Sequence, residues 1–433
     1  MKRIWFVLFA VAASFAAEAG VKIEHWVAPS GARVYFVETH ALPILDVQVD
    51  FAAGSAFDPP GKTGVSALTR GLLDSGAGAM DEEQIAGRVV DLGMRLSGSG
   101  DHDRAGLAVR TLSSPAEREG SLELMRTLLT QPTYPAVPLA REKTRTIAAI
   151  QESDTRPDSI AAKRFAGLLY PNHPYGAVAT VESVSAITRD DLVSFHRTYF
   201  GAKRAVVSII GDVTRAEAER IAQRLTEALP PGDATMQVPP VVKPESRVLR
   251  VPHPATQSHI HVGTPAIKRG NPDFFALQVG NYSLGGGGFV SRLMKEVREK
   301  RGYAYSVYSY FSPRKLEGPF EIGLQTKRAQ ADEALKVARG VLDDFVANGP
   351  TEQELAAAKK NLIDGLALRI DSNAKLLGYL AVIGFYELPL DYLDQYPAKI
   401  RSVTVKDVRE AFQRHVKPEN VVTVIVATDT QNP

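Results

Sequence analysis

The sequence predicts an α+β fold made of two homologous halves, each a sheet with helices packed on one face. Three observations carry that expectation. Strand-like and helix-like stretches mix along the 433 residues without the strict alternation of βαβ units. A constant offset of 216 residues lays Leu139 on Leu355, Lys143 on Lys359, Thr188 on Thr404, Asp191 on Asp407 and Ile209 on Ile425, the register of a duplication. Between the copies, Leu229-Pro-Pro-Gly232 through Val238-Pro-Pro240 to Pro244 is rich in proline, which disfavours helix and interior strand and predicts an extended linker.

The elements follow in chain order. Lys2 and Arg3 precede an uncharged apolar run over residues 4–15, and Ala17-Glu18-Ala19 is a small-x-small cleavage site, with Ser14-Phe15-Ala16 as the alternative. This is the pattern of a secretory signal over residues 1–19, and it predicts a periplasmic product. The run is shorter than the about 20 residues a membrane-spanning helix needs, so no stable membrane insertion is expected; an uncleaved anchor is the alternative reading. In a first domain, residues 20–229, strands are expected at 32–37 and 45–51, helices at 138–153 and 187–200, and a strand at 205–210. After a linker at 230–245, a second domain at 246–433 repeats the theme. Strands are expected at 246–251, 258–263 and 421–426, and helices at 351–370 and 403–412.

Composition narrows the function classes. Lys and Arg total 51 and Asp and Glu 49, and there is no basic run, aromatic–basic interleaving or finger spacing, so no nucleic-acid partner is expected. With no cysteine, neither disulfides nor a thiol nucleophile enter the reading, and no Ser/His/Asp set has assignable geometry. His259 and His261 share one face of a strand but lack an assignable third ligand. The other histidines are scattered and read as ordinary surface or core residues.

The most informative stretch runs from Asn281 to Tyr310. Four glycines, Gly285, Gly286, Gly287 and Gly288, lead into a predicted helix with Phe289, Leu293 and Val297 on one face. Gly302 breaks that helix, and Tyr303, Tyr305 and Val307 alternate as in a strand. Arg298 near the helix end and Tyr305 on the strand are two donors able to point into one space. Each part also has a plain reading: a flexible glycine connection, a solvated arginine at a helix C-terminus, and tyrosines packing on a sheet. A phosphate loop is excluded, because no Lys-Ser/Thr follows Gly288.

Asn281, Leu284-Gly-Gly-Gly287, Ser291-Arg292-Leu293, Val297-Arg298-Glu299 and Ala304-Tyr305-Ser306-Val307 match in order and spacing the second-half signature of the pitrilysin/insulinase metallopeptidases, which include the mitochondrial processing peptidases. Gly61-Lys-Thr-Gly64 and His173-Pro-Tyr-Gly176 extend the resemblance over nearly the whole mature chain. It implies halves facing each other across a central cavity. In active members a helix after Thr-Gly carries His-x-x-Glu-His, two zinc ligands around a general base. Here Ala67 and Gly71 stand at the histidine places, Arg70 at the glutamate place, and Ala149 at the third-ligand place, with Glu152 close by in register.

Some members of the family work as two chains, one bearing zinc and the other lending Arg and Tyr. The resemblance therefore implies a non-catalytic subunit of a periplasmic zinc peptidase, without a cofactor of its own. Its expected partners are a zinc-bearing homologous subunit and a peptide substrate. Arg298 and Tyr305 would act in trans on the partner's site, and Gly285 to Gly288 would contact peptide or permit movement. The alternative is a metal-free scaffold or peptide-binding protein of the same fold.

Overall fold

A computed structural model describes residues 21–232 and 237–428. The signal expected at 1–19 lies outside the described residues, as does the middle of the expected linker. Among the described residues thirteen strands occur in order: β1 Glu24–Val27, β2 Arg33–Glu38, β3 Ile44–Phe51, β4 Gly76–Ala77, β5 Met80–Asp81, β6 Arg95–Gly100, β7 Ala105–Leu112, β8 Ala205–Gly211, β9 Arg247–Pro252, β10 Gln257–Ile267, β11 Ala304–Phe311, β12 Gly318–Lys327 and β13 Val422–Thr428. Apart from the stretch around the four glycines, the strands and helices expected from sequence lie where the hydrophobic periodicity put them, with the boundaries shifted by a few residues.

The first sheet has the order β1-β2-β8-β3-β7-β6 and the second β11-β12-β10-β13-β9. Read from its other end, the second sheet repeats the first. In each, the first main strand pairs parallel with the last, β2 with β8 and β9 with β13, and the other neighbours are antiparallel. The offset of 216 carries helix Pro157–Leu169 onto Asn373–Phe385 and helix Arg189–Tyr199 onto Val405–His415.

Some of the residues that announce the repeat start helices or tie loops, and others, such as Ile209 and Ile425, lie in the core. Thr188 and Thr404 are N-caps, each closed by a capping box with Asp191 or Asp407 three residues on. Lys143 donates to the carbonyls of Ser185 and Ile187, and its counterpart Lys359 to that of Arg401. The capping boxes are local, so they survive divergence of the packing around them.

The expectation of helices on one face of each sheet is incomplete. One face of the first sheet packs on its own half's helices, through Val34, Phe36, Val47 and Val207. The other face, through Tyr35, Val37, Val206 and Ile210, is covered by Leu376, Leu377, Leu380 and Ile383 of helix Asn373–Phe385, which comes from the second half. The exchange is reciprocal. Helix Pro157–Leu169 of the first half places Ala161, Phe165 and Leu169 against Val422, Val424 and Val426 of β13. Strand β2 is accordingly apolar on both faces from Val34 to Val37, as burial on both sides requires. A helix's apolar stripe shows that it packs, but not on which sheet.

Asp103, in the β6–β7 hairpin, links the halves. Its buried carboxylate accepts from the Tyr175 hydroxyl of the first half, and from the Tyr386 hydroxyl (2.8 Å) and the Lys315 amide (2.8 Å) of the second.

Candidate functional site

The segment expected at the family's metal place forms the helix Val65–Gly71. It starts at Gly64, whose φ of +113° is left-handed and suits only glycine. The Asp58 carboxylate accepts from the amides of Gly64 and Ser66, both at 2.7 Å, satisfying N–H groups that open the helix. Burial raises the Asp58 carboxyl to about 6 despite those bonds. Ala67 and Gly71, one turn apart, are both exposed. Arg70 lies against the free edge strand β6. A Cβ on Gly98 would sit 2.4 Å from its Nη1, and one on Gly100 2.9 Å from its Nε. Two glycines in the edge strand thus make room for the guanidinium.

Ala149 is exposed on helix Ala136–Ser153. Neither Ala nor Gly carries a donor atom, and arginine brings a positive charge. No group of three or more His, Asp or Glu able to hold a metal ion occurs among the described residues. The side chains at this place do not fit a zinc ion. Of the two strand histidines, His261 bonds to Glu321 at 2.7 Å and packs on Phe165.

The glycine segment differs from the helix expected to follow it. Residues Tyr282–Gly286 are themselves helical, wound as a π-turn that continues helix Phe274–Asn281. After a short turn at Gly288–Val290, Ser291 is extended, and the next helical turns run to Glu299. Phe289 is therefore off the helix and 61% exposed, while Leu293 and Val297 are buried. The i, i+4, i+8 spacing was right for two of the three residues, because the extended Ser291 breaks the helical phase.

The glycines do different things. A Cβ on Gly285 would come 2.4 Å from Ser309 Oγ, so this glycine lets the π-turn lie against β11. Gly286 lines the cavity between the halves. Gly287 packs against Tyr282, and Gly288 turns the chain at φ +59° with open space around it. Asn281 clamps the same contact, donating to Ser309 O (2.9 Å) and accepting from Ser309 Oγ (2.7 Å). Arg292 makes a two-pronged pair with Glu354 (2.8 and 2.7 Å). These signature residues hold the segment in place.

Arg298 and Tyr305 do come together. The Arg298 guanidinium carbon lies 4.6 Å from the centroid of the Tyr305 ring and 4.8 Å from that of Phe289. Arg298 shares its charge with the two rings and forms no ion pair among the described residues. Tyr305, on the free edge strand β11, is 83% exposed, and its hydroxyl has no partner among the described residues. The cavity lined by Gly286 includes none of Arg298, Tyr305, Ala67, Arg70 or Gly71. It lies between the β6–β7 hairpin and the second half, with a volume of about 690 Å³. Its charged residues, in the hairpin Asp101-His102-Asp103-Arg104 and at Arg269, Arg314 and Arg369, belong to no motif in the sequence.

Comparison with known proteins agrees with this geometry. The family model described as "Peptidase M16 inactive domain" matches residues 186–362. A solved structure of a peptidase M16 inactive domain from Pseudomonas fluorescens is 35% identical and superimposes with a TM-score of 0.91, over 95% of this chain and 99% of that one. The chain belongs to the peptidase M16 family.

Among curated M16 relatives, a Helicobacter pylori protein named a non-peptidase homolog is 25% identical over 401 residues, 91% of each chain. An uncharacterized zinc protease of Streptomyces coelicolor is 30% identical over 270 residues, 60% of this chain and 58% of that protein. This chain is an inactive-type M16 homologue. No helix among the described residues is long and apolar enough to cross a membrane.

Proposed function

We propose that the chain is the substrate-binding, transition-state-assisting subunit of a heteromeric zinc peptidase in the periplasm. It lends Arg298 and Tyr305 to the active site of a zinc-bearing homologous partner and carries no cofactor itself. The observation that carries this reading is the pair of uncommitted donors. One guanidinium without a carboxylate, at the end of the helical turns Met294–Glu299, and one hydroxyl without a hydrogen-bond partner, on the exposed edge strand β11, stand together, in a chain whose residues Ala67 and Gly71 carry no side-chain donor atom. A scaffold gains nothing from leaving such groups unpaired. Phe289 and Tyr305 hold the guanidinium between two rings and leave its N–H edge free for a peptide carbonyl or a tetrahedral oxyanion. Placed donors of this kind contribute about 2.7–4 kcal/mol each to transition-state stabilisation.

The test is reconstitution with the zinc-bearing partner. Arg298→Ala and Tyr305→Phe should each lower kcat by about 10²-fold, with kcat/KM falling in step and assembly on a sizing column intact. If the double variant keeps wild-type kinetics in an assembled complex, the scaffold reading replaces this one.

A further inference from the structure

The cavity between the halves carries a surplus of positive charge that the protein itself does not neutralise. Four arginines, Arg104, Arg269, Arg314 and Arg369, line it against two aspartates, Asp101 and Asp103. The aspartates are already engaged. Asp103 is taken by two tyrosine hydroxyls and an amide. Asp101 pairs with Arg104 at 3.0 Å, and Arg104 also reaches Asp50 at 3.5 Å. His102 adds no charge at neutral pH, because burial lowers it to about 4.

That leaves Arg269, Arg314 and Arg369 with no ion pair among the described residues. Arg269 lies over the Tyr386 ring (5.4 Å), and Arg314 over Tyr175 (4.8 Å) and Tyr170 (5.5 Å). Arg369 has a single long bond to the Tyr396 hydroxyl, 3.4 Å. Arg269 Nε and Arg314 Nη1 are buried without a hydrogen-bond partner. Buried guanidinium donors are ordinarily satisfied, and leaving them bare is costly. The ring faces orient these cations but accept none of their in-plane N–H bonds.

We propose that this cavity is a binding site for an organic oxyanion, a carboxylate or phosphate group received by Arg269, Arg314 and Arg369. The guanidinium forks match the oxygen spacing of either group. Phe274, Tyr282 and Phe311 line the same space and give an apolar part of the ligand a wall to pack on. The volume of about 690 Å³ is in the range of small-molecule sites and accommodates a few residues of peptide. The site does not depend on the role proposed for Arg298 and Tyr305, because neither residue lines it.

Calorimetric titration of the full chain with inorganic phosphate, with citrate, and with a short peptide bearing a free or an amidated C-terminal carboxylate tests the proposal. At least one of these should bind, with affinity falling as salt is raised. Binding of the free but not the amidated peptide identifies a peptide end as the source, whereas binding of citrate or phosphate alone identifies a small ligand. Arg314→Gln should weaken the observed binding at least tenfold. Because Arg314 also packs on two tyrosines, Arg369→Gln, with circular dichroism showing an unchanged fold, gives a second reading and should weaken binding as well. Failure of every probe to bind at millimolar concentration, or unchanged affinity in both variants, overturns the proposal.

Discussion

At the scale of single residues, Tyr305 separates into a ring and a hydroxyl. The ring supports Arg298, and the hydroxyl bonds to nothing described. Tyr305→Phe should therefore leave unfolding free energy unchanged within about 0.5 kcal/mol in denaturant titrations, while reducing activity of the assembled complex. A loss of stability comparable to a core substitution would show the hydroxyl to be structural. His196 is a different case. It is buried, its Nε2 bonds to the Leu129 carbonyl at 2.9 Å, and its ring stacks on Phe200. Burial lowers its pKa from 6.5 to about 4. Between those values the unfolded chain binds the proton and the folded chain does not. Its stabilising contribution is thus complete above about pH 6.5 and is lost as pH falls toward 4, by up to about 3 kcal/mol. Comparing unfolding of the wild type with His196→Gln at pH 7 and pH 4.5 checks this: the difference should shrink at the lower pH, and a constant difference refutes it.

At the scale of elements, the helix Asn373–Phe385 is held by close approach as well as by apolar area. A Cβ on Gly384 would meet the Tyr35 ring at 2.6 Å and Val206 Cγ1 at 2.8 Å. Gly384→Ala should cost about 1–3 kcal/mol through overpacking, against the gain of up to about 1 kcal/mol that alanine brings to a helix. Gly340, in helix Ala331–Asn348, has nothing within 4 Å of an added Cβ. Gly340→Ala should therefore stabilise by about 0.5–1 kcal/mol. The two variants shift the denaturation midpoint in opposite directions if the close contact decides the sign.

At the scale of the whole molecule, each half covers one face of the other's sheet, and Asp103 joins them at the centre. Unfolding should therefore follow one cooperative transition. An isolated first half would expose Tyr35, Val37, Val206 and Ile210, and should bind a hydrophobic dye and self-associate on a sizing column. Asp103→Ala strands two tyrosine hydroxyls and an amide at the junction, and is expected to cost about 3 kcal/mol. Two separate transitions in the wild-type chain would contradict the reciprocal packing.

The sequence by itself determined most of the elements, the duplication and the family. Each of these is written in local patterns: alternation in strands, capping pairs such as Thr188–Asp191 and Thr404–Asp407, and the ordered signature from Asn281 to Val307. It also pointed to Arg298 and Tyr305 sharing one space, through a helix followed by a strand with a tight break between them. The tertiary structure alone decided that Phe289 leaves the helix to flank Arg298, that helices Pro157–Leu169 and Asn373–Phe385 cross to the opposite sheets, and that Arg269, Arg314 and Arg369 meet in one cavity. An apolar stripe specifies burial without naming the surface that buries it, and residues a hundred positions apart leave no spacing to read, so partners of this kind are set only when the two halves close on each other.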